Sequence, residues 1–147
     1  KLKSLMHEII AHSQNLPLIF PVHPRTAKIL QNLGIDDERL HMIEPLGYLE
    51  FNYLVENAKA VITDSGGITE ETTVMGIPCM TLRDNTERPE TVNIGSNELI
   101  GTNPSAIKPN MEKLFSGNWK KGSIPEKWDG KTAERIVSVL TNLKKIV

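Results

Sequence analysis

The sequence has few of the residues that mark secreted, metal-binding or nucleic-acid-binding proteins. Cys79 is the one cysteine, which excludes an internal disulfide and any multi-cysteine metal site. This usage fits a reducing compartment, and we expect a cytoplasmic protein. Lys and Arg number 17 against 18 Asp and Glu, so no net field favours nucleic acid or membrane. The four histidines lack metal-ligand spacing, and we expect no metal.

Long hydrophobic runs are also missing, which excludes a membrane-spanning segment, and no signal-peptide pattern is visible. What is present is an ordinary globular composition, with 147 residues of which 39% are hydrophobic. That length is enough for one domain with a core of its own. The chain begins at Lys1, without a methionine and inside a helical pattern. We therefore expect a piece of a longer protein.

Short apolar runs alternate with segments of helical periodicity along most of the chain. The predicted strands are 16–22, 40–43, 60–63, 78–82 and a last short strand at 98–101. The predicted helices are 1–14, 27–33, 48–57, 66–75, 107–115 and 133–143. Residues 83–96 and 116–130 are predicted to be loops. This alternation predicts an α/β fold, with a parallel sheet covered by helices on both faces.

Residues 61–71 form the most informative stretch, because a β-branched run enters a small turn and a helical pattern leaves it. Ser65, Gly66 and Gly67 would let a ligand approach the backbone, and a helix N-terminus there would favour a phosphate. Glu71 lies about one turn beyond Gly67, where a carboxylate suits a ribose diol. Glu70 is rotated by about 100° and cannot share that role. The alternative is a strand–turn–helix connection without a ligand.

A second candidate is the charged segment 83–90, which follows a predicted strand. Ligands of α/β sheets lie at the carboxyl ends of strands, although a solvated loop is the alternative. His23 also ends a strand, a position where a histidine is more often structural than functional. Ser65 lacks the Gly-x-Ser-x-Gly elbow of serine hydrolases. Cys79 lies in an apolar strand and is predicted to be a buried small hydrophobe.

Four stretches together resemble one family. Residues 64–71 are DSGGITEE and resemble a DSGGxxEE signature, and residues 83–90 are RDNTERPE and resemble an RDxTERPE signature. The PVH at 21–23 and the DGKTAERI at 129–136 also resemble patterns of that family. The family is that of the non-hydrolysing bacterial UDP-N-acetylglucosamine 2-epimerases, and the resemblance extends over essentially the whole chain.

The resemblance implies a fold of two Rossmann-like domains facing a cleft, as in GT-B glycosyltransferases. Residues 1–147 would be the C-terminal UDP-binding domain, incomplete at its N-terminal edge, and the N-terminal domain would be absent from this chain. The family's first strand of this domain, with its His-Arg motif, would precede Lys1.

The activity that the resemblance implies interconverts UDP-N-acetylglucosamine and UDP-N-acetylmannosamine, by removal of the C2 proton, elimination of UDP and its re-addition. The carboxylates that move the proton belong to the other domain, so this piece alone is predicted to be inactive. No cofactor is implied. A homodimer and a role in cell-surface polysaccharide biosynthesis are implied for the full protein.

Carried over by motif, Ser65, Gly66 and Gly67 would bind the diphosphate and Glu71 the ribose hydroxyls. Arg88 lies in the charged segment, where a fixed cation could meet phosphate oxygens or stabilise UDP as a leaving group.

The resemblance implies roles for two further residues, and each assignment has a point against it. Phe51 would line or stack on the uracil, its alternative being a core aromatic on its own helix. His23 matches a histidine that contacts a second, activating UDP-N-acetylglucosamine in some members. Here it is followed by Pro24-Arg25-Thr26 and not by the more usual Leu-Asn-Pro, which weakens that assignment.

Rival functions differ in what they require. A GT-B glycosyltransferase or a hydrolysing epimerase would share the nucleotide-side architecture, but the TERPE stretch at 86–90 argues against both. An inert nucleotide-binding or regulatory module would lack the acidic and His-Arg residues that the family carries upstream of Lys1.

Overall fold

The computed structural model describes residues 1–143 and contains in them five β-strands and seven α-helices. The strands are β1 (Leu18–Pro21), β2 (Leu40–Ile43), β3 (Val61–Thr63), β4 (Cys79–Thr81) and β5 (Asn97–Leu99). The helices are α1 (Leu2–His12), α2 (Pro24–Asn32), α3 (Tyr48–Glu56), α4 (Gly66–Met75), α5 (Pro89–Asn93), α6 (Ile107–Phe115) and α7 (Thr132–Leu143). Every strand pair is parallel, which confirms the predicted α/β class.

The strands of residues 1–143 form two hydrogen-bonded sheets, where the sequence predicted one. One sheet has the order β1-β2, and the other has the order β3-β4-β5. In the larger sheet Ile62 of β3 lies opposite Met80 of β4, which lies opposite Glu98 of β5. Since β1 and β3 are not paired with each other, each is an edge strand of its own sheet. The apolar patterns of the two strands do not reveal this, because they specify burial and not the neighbouring strand.

Helix α1 connects the two sheets through its apolar face. Leu5 and Ile9 pack in the core of the three-stranded sheet, whereas Met6 and Ile10 pack in the core of the two-stranded sheet. Leu18 of β1 contacts both cores. The alternation of these positions along α1 follows from helical geometry, because residues three or four apart share a face.

The central strand β4 is buried on both sides, as expected for a parallel strand under helices. Met80 is fully buried in the core that α1 and α6 cover. Cys79 and Thr81 alternate with Met80 and therefore face the side where α4 packs against β4. Burial raises the pKa of the Cys79 thiol to about 11. The prediction of a buried, small cysteine is confirmed.

Several predicted boundaries differ from the structure, most of them by one or two residues. Residues 83–96 were predicted to be a loop, but they contain helix α5, which begins at Pro89. Helix α2 begins at Pro24 and not at residue 27, and β5 is Asn97–Leu99 and not 98–101. Both helices carry proline in the first turn, where the missing N–H has no helical partner to lose. The proline therefore marks the start of each helix before the apolar periodicity does.

The segment between α6 and α7 lacks helix and strand, as predicted. It is nevertheless held in place, because the Trp119 Nε1 donates to the Ser96 carbonyl at 2.8 Å. The Lys113 ammonium lies 5.4 Å from the centre of the same indole ring. No helix within residues 1–143 combines the length and the apolar character needed to cross a membrane.

We expect the Asp129 carboxyl to titrate near pH 2, well below its ordinary value of 3.8. Hydrogen bonds from the Arg135 guanidinium lower this pKa most, followed by the Lys131 N–H. Since the folded-state pKa is depressed, the ionised Asp129 carboxylate stabilises the folded state fully above about pH 4. This stabilisation is lost as the pH falls toward 2. A carboxyl-carbon NMR titration measures the midpoint. Arg135→Gln should raise the midpoint toward 3.8. An unchanged midpoint in that variant would show that Arg135 does not lower the pKa of Asp129.

Candidate functional site

The candidate site lies at the edge of the larger sheet where its parallel strands end. Thr63, the last residue of β3, lies opposite Thr81, the last residue of β4. The turn into α4 follows the first strand, and the charged segment follows the second. Because carboxyl ends of parallel strands meet at one edge, the two segments singled out in the sequence become neighbours.

The N-terminus of α4 offers backbone N–H donors that find no acceptor among residues 1–143. Ser65 is the N-cap residue with an extended backbone (φ −88°, ψ 125°), and its side chain makes no capping hydrogen bond. The Ser65 N–H itself is used, since it donates to the Thr63 hydroxyl at 3.0 Å. The first N–H groups of a helix have no helical acceptor, and together with the helix dipole they favour an anion.

Gly66 and Gly67 are not required by the fold of the described residues. Neither has a positive φ, and a Cβ atom added to either would meet nothing within 4 Å. Gly76 at the other end of the same helix differs, because its φ of +70° is one that other residues rarely adopt. The absence of side chains at the first turn of α4 therefore leaves space at its N-terminus and serves no packing purpose among residues 1–143.

The two carboxylates of α4 have different surroundings. Glu70 follows Gly66 by four residues and Glu71 follows Gly67 by four, so each lies one turn beyond a glycine on its own face. The Glu70 carboxylate accepts a hydrogen bond from the Arg88 Nε at 2.7 Å. Glu71 is half-buried and has no hydrogen-bond or ion-pair partner among residues 1–143.

Arg88 is thus brought to α4, as the ligand hypothesis for the charged segment requires. It is the N-cap residue of α5, and its guanidinium also donates to the Glu87 carbonyl at 3.3 Å. The Glu87 carboxylate pairs instead with Arg83 at 3.5 Å. Glu70 was not among the predicted site residues. The signal that could have found it is its four-residue spacing from Gly66.

Phe51 lies on α3, a helix that packs beside α4. It shares a helix face with Val55, which is buried, and is itself half-buried. Phe51 belongs to neither apolar core of the described residues. The structure therefore places this aromatic ring on the element next to the candidate site, without embedding it in a core.

His23 is held apart from the other predicted site residues, at the end of β1 in the smaller sheet. It is the N-cap residue of α2, and its Nδ1 accepts a hydrogen bond from the Arg25 N–H at 3.3 Å. This capping contact is a structural role, which is the more common one for a histidine at the end of a strand. Among residues 1–143, no three His, Cys, Asp or Glu side chains converge in a group that could hold a metal ion.

Comparison with known proteins identifies the family of the chain. The family model described as UDP-N-acetylglucosamine 2-epimerase matches residues 1–141. The chain belongs to the UDP-N-acetylglucosamine 2-epimerase family. The resemblance inferred from the sequence motifs is thereby confirmed, and the match extends over both the smaller and the larger sheet.

Members of the epimerase family from other organisms share both sequence and fold with the chain. The UDP-N-acetylglucosamine 2-epimerase of Methanocaldococcus jannaschii is 41% identical over 150 aligned positions, which cover 96% of this chain and 40% of that protein. The crystal structure of that organism's enzyme in complex with UDP-GlcNAc and UDP gives a TM-score of 0.77 at 40% identity, over 96% of this chain and 40% of that one.

The crystal structure of the Neisseria meningitidis epimerase bound to UDP-GlcNAc gives a TM-score of 0.80 at 31% identity. It covers 95% of this chain and 40% of that one. These likenesses confirm the fold class. The chain spans about 40% of the length of the relatives it matches.

Proposed function

We propose that the chain is the nucleotide-sugar-binding domain of a UDP-N-acetylglucosamine 2-epimerase. The observation that carries the proposal is the uncapped N-terminus of α4, with two glycines that the fold does not itself require and with Arg88 held nearby. A pyrophosphate is an anion of the size and charge that such a helix end accommodates. Relatives with the same fold have been crystallised with UDP-GlcNAc and with UDP.

The predicted residues of the turn into α4, of α4 itself and of the charged segment each receive a role at this site. The backbone at Ser65, Gly66 and Gly67 would contact the diphosphate, with no side chain in the way at the two glycines. The unpartnered Glu71 carboxylate would accept hydrogen bonds from the ribose hydroxyls. The Arg88 guanidinium would stabilise the charge that develops on UDP as it leaves.

Phe51 and His23 complete the assignment. Phe51 would supply an aromatic surface to the uracil from α3, the helix beside α4. At His23, the hydrogen bond from Arg25 occupies Nδ1, so Nε2 is the ring nitrogen that a second, activating nucleotide sugar would contact.

The whole reaction would interconvert UDP-N-acetylglucosamine and UDP-N-acetylmannosamine by elimination and re-addition of UDP. We propose that residues 1–147 serve as the C-terminal domain of a two-domain protein, which the coverage of about 40% of the relatives supports. The proton-transfer carboxylates would belong to the other domain. We further propose a homodimer and, given the free buried thiol of Cys79, a cytoplasmic location.

Residues 1–147 alone should therefore bind UDP but leave the substrate's C2 proton in place. The experiment incubates UDP-N-acetylglucosamine in deuterated water with the 147-residue chain and, in parallel, with the protein at its natural length. Proton NMR should show loss of the C2 signal only with the second. Exchange catalysed by the short chain would refute the proposed division of labour.

Product analysis of the natural-length protein tests the reaction class. UDP-N-acetylmannosamine is the expected product. Free N-acetylmannosamine would identify a hydrolysing enzyme, and transfer of the sugar to an acceptor would identify a glycosyltransferase.

A further inference from the structure

The contact between Glu70 and Arg88 joins the two sequence motifs of the site. The residues are 18 apart in the chain, and their side chains meet at 2.7 Å between Oε1 and Nε. Both side chains are substantially exposed, at 39% for Glu70 and 43% for Arg88. Ion pairs at that exposure contribute little to stability. The main consequence of the contact is therefore the position of the guanidinium.

The backbone of Arg88 is fixed on both sides by threonine hydroxyls. The Thr86 hydroxyl accepts from the Arg88 N–H at 3.0 Å, and the Thr91 hydroxyl donates to the Arg88 carbonyl at 2.8 Å. Thr91 is fully buried and accepts in turn from the Asn97 side chain, whose oxygen accepts from Thr81. Hydrogen bonds between buried side chains thus tie Arg88 to strands β4 and β5.

The guanidinium keeps donors for a ligand after these contacts are made. Of the five N–H donors of an arginine, Nε donates to Glu70 and one N–H on Nη1 donates to the Glu87 carbonyl. Among residues 1–143 no acceptor uses the others. Phosphate oxygens are bound best by such a planar pair of terminal nitrogens, and Glu70 occupies the opposite, Nε side.

Glu70 also places the guanidinium relative to the helix end. It lies one turn beyond Gly66 on the same face of α4, and helical side chains tilt toward the helix N-terminus. The Glu70 carboxylate therefore holds the Arg88 Nε on the N-terminal side of its own position on that helix. We propose that Glu70 is a positioning residue, which holds Arg88 so that its terminal nitrogens meet the diphosphate of a uridine nucleotide at the N-terminus of α4. This rests on the proposed function of the same site.

The test compares two probes, UDP and uridine, by titration calorimetry and NMR with the natural-length protein. Arg88→Ala should weaken UDP binding about ten- to hundredfold, since a hydrogen-bonded charge is lost, and leave uridine binding unchanged. Glu70→Ala should weaken UDP binding about three- to tenfold and also leave uridine binding unchanged. Glu70→Gln, which keeps an acceptor for Nε, should restore most of the affinity for UDP.

The double variant separates positioning from two independent effects. Glu70→Ala added to Arg88→Ala should cost no further affinity for UDP, because Glu70 acts only through Arg88. The matched control is Glu87→Ala, which removes a carboxylate from the same segment but leaves the backbone carbonyl that Arg88 contacts. It should bind UDP as the unmodified protein does.

The outcomes distinguish the two proposals. If the unmodified protein does not bind UDP, the proposed function fails. If it binds UDP, but Glu70→Ala weakens UDP and uridine equally, or adds its full effect to that of Arg88→Ala, the positioning role is wrong. Should Glu70→Ala fail to fold, Glu70→Met keeps the side-chain length, removes the acceptor and carries the same expectation.

Discussion

Replacing Glu71 by alanine should weaken UDP binding about 30- to 150-fold. The carboxylate is half-buried, has no partner among the described residues and lies one turn beyond Gly67 on α4. A hydrogen bond to a charged group contributes roughly 1.5–3 kcal/mol, and two such bonds to the ribose diol are not additive. The expected loss is therefore about 2–3 kcal/mol of binding free energy.

Calorimetric titration of UDP and 2′-deoxy-UDP measures this effect. The unmodified protein should prefer UDP, and Glu71→Ala should lose most of that preference. Glu56→Ala is the matched control, because Glu56 is an exposed carboxylate at the last residue of α3. The neighbouring Glu70 does not serve as one, since its removal frees Arg88. Equal discrimination by the unmodified and Glu71→Ala proteins would show that this carboxylate does not contact the ribose.

Gly66→Ala and Gly67→Ala should each raise the free energy of unfolding while weakening UDP binding at least about tenfold. Alanine is favoured over glycine in a helix by up to about 1 kcal/mol, and the added Cβ meets no atom of the described residues within 4 Å. The same Cβ would separate a phosphate from the backbone N–H groups and cost roughly 1.5–3 kcal/mol for each bond lost.

Gly76→Ala is the matched control at the other end of the same helix. An added Cβ there also meets nothing within 4 Å, but the φ of +70° is unfavourable for alanine by about 1–2 kcal/mol. This variant should be less stable and should bind UDP normally. Urea denaturation should show a higher free energy of unfolding for the two first-turn variants and a lower one for Gly76→Ala. Calorimetry should show weaker UDP binding only for the first-turn variants. Unaltered UDP affinity in both first-turn variants would show that the diphosphate does not bind at the N-terminus of this helix.

Much of the fold follows from local sequence patterns. The stretch 61–75 was predicted as strand, turn and helix, and β3 and α4 are found there. Glycine marks both ends of α4, so its limits could be predicted from the residues alone. The predicted strand 78–82, in which Thr81 is the one polar residue, similarly predicts a strand buried on both faces, because polar and apolar side chains do not alternate along it.

The contacts that organise the site depend instead on tertiary structure. The partner of Glu70 lies 18 residues away, and nothing in either motif specifies that its carboxylate turns to Arg88 and not to solvent. The buried Asn97 likewise belongs to no recognisable pattern, although its hydrogen bonds with Thr81 and Thr91 support the same arginine. Sequence periodicity predicts which face of an element is buried, but it does not identify the side chain that meets another across that interface.

The separation of the strands into two sheets has a consequence for local unfolding. Within residues 1–143 no strand hydrogen bonds join the two sheets, and apolar contacts of α1 and Leu18 connect their cores. Cooperative opening units commonly coincide with such motifs, so each sheet with its helices forms a natural unit for amide exchange. A nucleotide bound at α4, as proposed, would raise the free energy of opening of the larger unit. The amides of β1 and α2, with His23 at their junction, belong to the smaller unit. The nucleotide would protect them from exchange only to the extent that α1 couples the opening of the two units.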